Sequence, residues 1–177
     1  MNKHIVATLV GPDHVGIVER VTQKILDCHG NIEESRMARL GGDFAMLLLI
    51  SVPQEKMDLL HSSLDKFNKD GFQIFLRETD SKATTKYTGW IPYQVTVSGA
   101  DHEGIVNSIT QKLAENGINI ESMDTNTAPA PMSGTMLFTM QAIVISPPNL
   151  KYSEWKDPLD EVCDAANVSI DVTPYRG

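Results

Sequence analysis

The chain has 177 residues, of which 41% are hydrophobic and 21% are charged, and its formal net charge at pH 7 is −8. This composition is typical of a soluble globular protein with one mid-sized domain or two small ones. An acidic protein repels phosphate backbones, so direct binding to nucleic acid is not expected.

The first predicted strand is KHIVATLV, whose residues alternate between two faces, with Ile5, Ala7 and Leu9 on one of them. A glycine-containing turn over residues 11–16 follows. The next segment predicts an amphipathic helix, because apolar residues recur at helical spacing: Ile17, Val21 and Ile25, flanked by Val18 and Cys28. We expect Gly30 to end this helix.

Two strands and a second helix complete the first unit. NIEESRMARL and FAMLLLISV predict strands, GGD between them predicts a tight hairpin, and Pro53 ends the second strand. Apolar residues spaced by three and four then predict an amphipathic helix: Met57, Leu60, Leu64 and Phe67. Gly71 closes this helix and FQIFLRE is the last strand, so the order is βαββαβ, the ferredoxin-like unit.

The strand FAMLLLISV is apolar on both of its faces. Its residues alternate between Phe44, Met46, Leu48 and Ile50 on one side and Ala45, Leu47 and Leu49 on the other. Helices can cover only one face of such a sheet, so the other face is left as an apolar patch. We expect contact through the sheet face or edge, between the two copies or between chains. The alternative is a central strand with a few exposed apolar residues.

The turn motif occurs twice, because GPDHVGIVERVTQK at residues 11–24 is repeated as GADHEGIVNSITQK at residues 99–112. Twelve of the 23 positions from Gly11 to Glu33 are identical in the second copy. A repeat of this density indicates a duplicated domain.

The second copy predicts the same order of elements. YQVTVS, NIESMDTNT, TMLFTMQAIVIS and VSIDVT predict its strands, and APAPMSG is a longer hairpin loop. Its first helix carries Ile105, Ile109 and Leu113 and ends at Asn116 and Gly117. Its second helix is lined by Trp155, Leu159, Val162 and Ala166. Pro158 either kinks this helix or marks a start after Asp157.

We therefore predict an α+β protein made of two ferredoxin-like βαββαβ domains, with antiparallel sheets and helices on one face. The predicted domains span residues 1–80 and 92–177. Residues 81–91 are polar and turn-rich and predict a linker.

A strand, a glycine-rich turn and a helix form an arrangement that suits an anion or a zwitterion. The first amide groups of a helix have no intrahelical partner, and the helix dipole places partial positive charge there. Gly16 and Gly104 would let a ligand approach the backbone. A small amino acid could place its carboxylate on these amides and its ammonium on Asp13 or Asp101, at a site shared between domains.

Structural explanations of the same residues stay open. Asp13 and Asp101 could be simple N-caps, worth about 0.5–2 kcal/mol. His14 and His102 could be exposed turn residues, and the glycines of the turn could serve only close packing of helix against sheet.

The turn does not predict an enzyme, a metal site or a cofactor site. It lacks the GxxxxGK[ST] pattern of a phosphate-binding loop. The adjacent side chains of Asp13 and His14 make a poor acid–base pair, and no third group orients the histidine. A metal would need three or four clustered ligands, which the two copies could supply only if their turns met.

The ends of the chain and its cysteines bear on its location. MNKHIVATLV has too short an apolar run for a signal peptide, and no stretch approaches the roughly 20 apolar residues of a membrane span. Cys28 and Cys163 stand at unrelated positions. We expect a cytoplasmic protein with reduced thiols in or near its core and no membrane contact.

Two units that each carry G-x-D-x-x-G-I-V and then an N-I strand start resemble tandem ACT domains, which are sensing modules, most often for amino acids. DHVGIVERVTQKILDCHGNIEESRMARLGGDFAMLLLIS resembles the glycine cleavage system transcriptional repressor family, and APAPMSGTMLF is similar to the second domain of that family. The resemblance covers about residues 4–80 and 92–174.

The resemblance implies where a ligand is held: at the turn after the first strand and at the start of the second strand, usually across an ACT–ACT interface. The implied ligand-binding residues are Asp13, His14, Gly16, Ile17, Asn31 and Ile32 in the first copy and Asp101, His102, Gly104, Ile105, Asn119 and Ile120 in the second. Val15 and Glu103 stand where proline is common in the family. Glu103 adds negative charge, so we expect the first turn to bind a carboxylate better.

The resemblance also implies regulation without catalysis. Members of the family have two ACT domains and no DNA-binding domain, and they are thought to sense glycine and restrain a LysR-type activator of the glycine cleavage operon by protein contact. The sequence thus predicts an amino-acid-sensing homo-oligomer in which the ligand shifts the population of two arrangements. The alternative is an ACT scaffold or oligomerisation module that binds no ligand.

Overall fold

The computed structural model describes residues 1–80, 86–131 and 133–176. The chain divides into two compact units, Met1–Thr85 and Lys86–Gly177. Of the predicted linker, residues 81–85 lie outside the described residues, and residue 91 already belongs to a strand of the second unit.

The first unit has the predicted βαββαβ order. Its elements are β1 (Asn2–Pro12), α1 (Ile17–Asp27), β2 (Asn31–Leu40), β3 (Asp43–Pro53), α2 (Met57–Leu64) and β4 (Gln73–Thr79). A 3₁₀ turn continues α2 over Asp65–Asp70, so that Phe67 is buried as the predicted stripe requires. The strands form one antiparallel sheet in the order β2-β3-β1-β4.

The core of the first unit lies between this sheet and its two helices. Alternate residues of β1 and β3 point into it, together with the apolar faces of α1 and α2: Ile5, Ala7, Leu9, Met46, Leu48, Ile50, Ile17, Val21, Ile25, Leu60 and Leu64. Cys28 is buried in the same core, and Cys163 is buried in that of the second unit; both thiols are free. Period-two and period-3.6 patterns therefore predicted which residues form the core.

The second unit repeats the architecture. Its elements are β5 (Ile91–Ala100), α3 (Ile105–Glu115), β6 (Asn119–Pro129), β7 (Met136–Ser146), α4 (Tyr152–Ala165) and β8 (Val168–Pro174). The antiparallel sheet has the order β6-β7-β5-β8. Met132 in the predicted hairpin loop lies outside the described residues. The predicted α+β fold of two ferredoxin-like units is confirmed.

Helix α4 begins at Tyr152 and contains Pro158 within it, so the alternative that the helix starts after Asp157 is wrong. The Glu154 carboxylate accepts a hydrogen bond from the Lys151 backbone N–H at 3.2 Å, and this caps the true start. The fully buried stripe is Trp155, Leu159 and Cys163, whereas Val162 and Ala166 are only half-buried.

The end of α1 also differs from the prediction. The residue in the left-handed conformation is His29, with φ 58°, and not Gly30. Gly30 is needed for space, since a Cβ there would lie 2.8 Å from Cγ2 of Ile25. In the second unit the corresponding left-handed residue is Gly117, with φ 69°.

We expect His29→Gly to raise the free energy of unfolding by about 0.5–1 kcal/mol. The left-handed conformation destabilises a non-glycine residue by about 1–2 kcal/mol, and glycine relieves this strain in the folded state. Glycine also has more conformational freedom in the unfolded chain, which offsets part of the stabilisation. Gly117→Ala is the reciprocal control and should be destabilising by a similar amount. Urea unfolding measures the free energy of unfolding of both variants. A His29→Gly variant less stable than the parent would contradict the conclusion that the left-handed backbone of His29 is strained.

Within the residues that the structure describes, no helix is long and apolar enough to cross a membrane.

Candidate functional site

Both repeated turns place a left-handed glycine directly before a helix. Gly16 precedes α1 with φ 91°, and Gly104 precedes α3 with φ 93°. Only glycine adopts this conformation without strain. Among the described residues no side chain caps either helix, so the alternative that Asp13 or Asp101 is simply an N-cap is wrong.

These two glycines face open space, because a Cβ at either position would meet no atom of the described residues within 4 Å. The packing explanation for them is therefore wrong as well. Close packing is instead the role of Gly11 and Gly99. A Cβ there would lie 2.9 Å from the Cα atoms of Phe72 and Val168, respectively.

The amides of the first turn are largely open. The Ile17 N–H makes a long bond of 3.4 Å to the His14 carbonyl, and the Asp13 N–H donates to the Gly42 carbonyl at 3.2 Å. The Asp13 carboxylate lies 3.9 Å from the Arg39 guanidinium, and both side chains are partly exposed. Arg39 is a neighbour that sequence reasoning missed, although the tight hairpin that brings it there was predicted.

The two histidines of the motif have different surroundings. The His14 ring packs edge-on against Phe72 with centroids 5.5 Å apart. In the second unit Nε2 of His102 lies 2.7 Å from the Ala166 carbonyl, and Nδ1 lies 3.0 Å from the Glu103 carbonyl. These two acceptors, that of Ala166 first, raise the pKa of His102, because only the imidazolium donates from both nitrogens.

A pH-dependent contribution to stability follows for His102. Because the folded pKa is raised, the stabilisation is fully present below the unfolded value of 6.5 and is lost as the pH rises through the folded pKa. We expect the difference in Tm between the parent and His102→Gln to be larger at about pH 5.5 than at about pH 8.5. If thermal melts give the same difference in Tm at both pH values, the two carbonyl contacts do not stabilise the imidazolium of His102.

An open depression of about 500 Å³ lies beside the second turn. It is lined by Asp101, His102, Gly104, Ile105, Val106, Asn107, Thr110, Thr127 and Phe138. Thr127 and Phe138 were missed by sequence reasoning, although the register supplies them: Gly99 pairs with Phe138, which pairs with Thr127. Glu103 does not line the depression, whereas His102, whose pKa is raised, does.

The asparagines of the predicted site lie far from the turns of their own units. In the first unit Asn31 pairs with Ser51, which pairs with His4, near the start of β1. The turn begins seven residues later, at Gly11, so the two places are about 23 Å apart along the strand. Asn119 is separated from the second turn in the same way. Neither unit alone brings its predicted residues into one site.

The two asparagines also differ in their partners. Asn119 accepts a hydrogen bond from the Tyr87 hydroxyl at 3.3 Å and donates to Glu121 at 2.6 Å. Asn31 is exposed, and its side chain has no hydrogen-bond partner in the described part of the chain. It lines a shallow depression of about 310 Å³ together with Ile32, Leu26 and Thr22.

The predicted isoleucines can contribute little through their side chains. Ile17 and Ile105 are buried in the two cores, so only their backbone amides could meet a ligand. Ile32 and Ile120 are half-buried. Among the described residues no cluster of three or more histidine, cysteine, aspartate or glutamate side chains could hold a metal ion.

Residues 3–75 match the sequence family of the ACT domain. The glycine cleavage system transcriptional repressor of Escherichia coli is 26% identical over 175 residues, covering 97% of this chain and 91% of the relative. A crystal structure of a protein of unknown function from Galdieria sulphuraria is 36% identical, with a TM-score of 0.87 over 99% of this chain and 100% of the other.

A crystal structure of a candidate glycine cleavage system transcriptional repressor shares the fold, with a TM-score of 0.73 at 21% identity over 100% of this chain and 99% of the other. The named full-length relative is a regulatory protein, which confirms the prediction that this chain is not an enzyme. The first unit therefore matches the ACT-domain family, and along nearly its whole length the chain is similar to a glycine cleavage system transcriptional repressor.

Proposed function

We propose that this protein is a cytoplasmic, amino-acid-sensing regulator whose ligand is glycine. It acts on transcription of the glycine cleavage operon through contact with a LysR-type activator. The observation that carries the proposal is the pair of helix starts at Gly16 and Gly104, each exposed and without a side-chain cap in the part of the chain that the structure describes. The resemblance to a named transcriptional repressor over 97% of the chain supports the regulatory role.

The chemistry of the turns suits a small zwitterion. Uncapped amides at the start of a helix and the positive end of its dipole favour a carboxylate. The exposed carboxylates of Asp13 and Asp101 stand in the same turns and favour an ammonium group. Glycine presents only these two groups, so it needs no pocket for a side chain.

The two turns are not equivalent for this purpose. The second turn has the open depression of about 500 Å³, and His102 in that turn has a raised pKa. The first turn has Arg39 beside Asp13 and lacks the acidic neighbour Glu103. The remaining predicted residues, Asn31, Ile32, Asn119 and Ile120, complete a site only if a different ACT domain supplies them.

Ligand binding is communicated to the protein partner by a shift in the population of two arrangements of this protein. A ligand that binds one arrangement better than another can shift the equilibrium by no more than its difference in affinity. The net charge of −8 agrees with an indirect route to the promoter. A promoter fragment retained by the protein alone at moderate salt would contradict this route.

A screen of thermal melts with each of the twenty amino acids tests the proposal. Glycine at about 100 times its Kd should stabilise the protein by about 2.7 kcal/mol and raise Tm by several degrees. Asp13→Ala, Asp101→Ala or both should reduce the shift, whereas Asp58→Ala, an exposed change on α2, should leave it unchanged. No shift with any amino acid would favour the ligand-free scaffold, and a shift retained in both turn variants would place the site elsewhere.

A further inference from the structure

The open face of the first sheet, opposite its helices, is apolar at its centre. It carries Val6, Thr8 and Val10 from β1, Leu47 and Leu49 from β3, and Phe75 from β4. Phe75 is 66% exposed, Leu47 46% and Val10 40%. Exposed apolar residues that are contiguous on one face mark an interaction surface.

The fold does not require this face to be apolar, as the second unit demonstrates. At the positions of Leu47 and Phe75 the second sheet has Gln141 and Asp171. At those of Val6 and Val10 it has Gln94 and Ser98. The same architecture thus accepts a polar face, so the apolar face of the first unit needs its own explanation.

Charged residues flank the apolar centre at opposite edges of the sheet. The register places Glu34 on β2, Leu49, Val6 and then Arg77 on β4 in one row. The next row contains Arg36 on β2, Leu47, Thr8 and Phe75 on β4. Arg36 forms an ion pair with Glu34 at 2.9 Å, whereas Arg77 has no ion-pair partner in the described part of the chain.

This arrangement matches itself under a two-fold rotation about an axis parallel to the strands. When two such sheets pack face to face, about 10 Å apart, the rotation lays β2 of one copy over β4 of the other. Glu34 then faces Arg77 of the second copy, and the reverse pair forms at the other edge. Arg36 faces the Phe75 ring of the second copy, which suits a cation–π contact. Leu47, Leu49 and Val6 are buried between them.

The second unit would repel its own copy in this geometry. Its register places Asp124, Gln141, Thr96 and Asp171 in one row, so the same rotation would bring Asp124 onto Asp171 of the other copy. Like charges in such a position disfavour association. The duplicated fold therefore carries one face suited to self-association and one unsuited to it.

We propose that the open face of the first sheet is a two-fold dimer interface with a second copy of this chain, held by the apolar centre and by reciprocal Glu34–Arg77 pairs. The proposal is independent of amino-acid binding, so its test is performed without amino acids. It names a specific surface for the homo-oligomer that the sequence predicts.

Sedimentation equilibrium of the full chain at micromolar concentrations tests the interface. The parent should be a dimer. Glu34→Arg and Arg77→Glu should each weaken the dimer at least about tenfold, because each places like charges opposite one another. The double variant exchanges the two charges and should restore the dimer to within about threefold of the parent. Asp124→Asn, on the second sheet, is the matched control and should have no effect.

Phe75→Asp and Leu47→Gln, which copy the residues of the second unit, give an independent test, and circular dichroism verifies that each variant is folded. Both should dissociate the dimer. The proposal is overturned if the parent is a monomer, if the single charge reversals leave the dimer intact, or if the double variant is no tighter than the single variants.

Discussion

Replacing Trp155 by alanine should lower the free energy of unfolding by about 3–5 kcal/mol, the largest effect that we expect from a single substitution. Trp155 is fully buried in α4 and is among the largest buried side chains of the second unit. Its ring contacts Tyr93 and Tyr152 edge-on, with centroids 5.2 Å and 5.5 Å away. Removing the ring therefore leaves a large cavity and two aromatic rings without their common neighbour.

Trp155→Phe is the matched control for this substitution. The indole N–H of Trp155 is buried and has no hydrogen-bond partner among the described residues, so phenylalanine removes an unsatisfied donor while it retains most of the aromatic contact. Relief of that donor, worth about 1–3 kcal/mol, should offset part of the lost volume. In urea unfolding we expect Trp155→Phe to cost less than half of Trp155→Ala. Equal losses of unfolding free energy in the two variants would contradict the conclusion that the indole N–H is unsatisfied.

Gly99→Ala should produce the second largest effect, about 3 kcal/mol of destabilisation. The new Cβ would lie 2.9 Å from the Cα of Val168 and 3.0 Å from the carbonyl oxygen of Asn167. Both are backbone atoms, so β5 and β8 would have to separate. Gly11→Ala should act in the same way in the first unit, where the Phe72 backbone is equally close.

Gly104→Ala separates this steric effect from backbone strain. No atom of the described residues lies within 4 Å of the Cβ position of Gly104, so alanine there is destabilised only by the left-handed conformation, by about 1–2 kcal/mol. Urea unfolding should rank the parent, Gly104→Ala and Gly99→Ala in order of decreasing stability. The reverse order of the two variants would mean that the two glycines of the motif have been assigned the wrong roles.

The sequence predicts the fold well because its patterns are local and repeated. The duplication gives each element a second, independent copy, so the helix at Ile17 is supported by the matching helix at Ile105. Alternation in β1 and spacing by three and four in α1 depend only on which residues are apolar. They need no knowledge of how distant segments meet.

The features that sequence reasoning missed depend on backbone conformation or on register. When glycine follows histidine at a helix end, glycine is expected to adopt the left-handed conformation. Here His29 adopts it instead, and Gly30 provides the space that the Ile25 side chain occupies. Pro158 is compatible with a position inside a helix or at its start, and the cap formed by Glu154 places the start at Tyr152, six residues earlier. Local propensity cannot decide between two such candidates.

The candidate site was predictable in its parts but not in its arrangement. The repeated turn and its exposed polar residues follow from the motif alone. The separation of Asn31 from Asp13 follows only from the pairing of β2 and β1 with β3, which a strand pattern does not reveal. The contrast between Phe75 and Asp171 is visible in the sequence only after the two sheets have been aligned.

The central claim is that the amides beside Gly16 and Gly104 hold a small amino acid. The most direct measurement is a titration of ¹⁵N-labelled protein with glycine, monitored by ¹H–¹⁵N correlation spectra of the backbone amides. We predict saturable shifts centred on Gly16, Ile17 and Val18, on Gly104, Ile105 and Val106, or on both groups. Spectra that do not change at millimolar glycine, or shifts confined to residues distant from both turns, would contradict the claim.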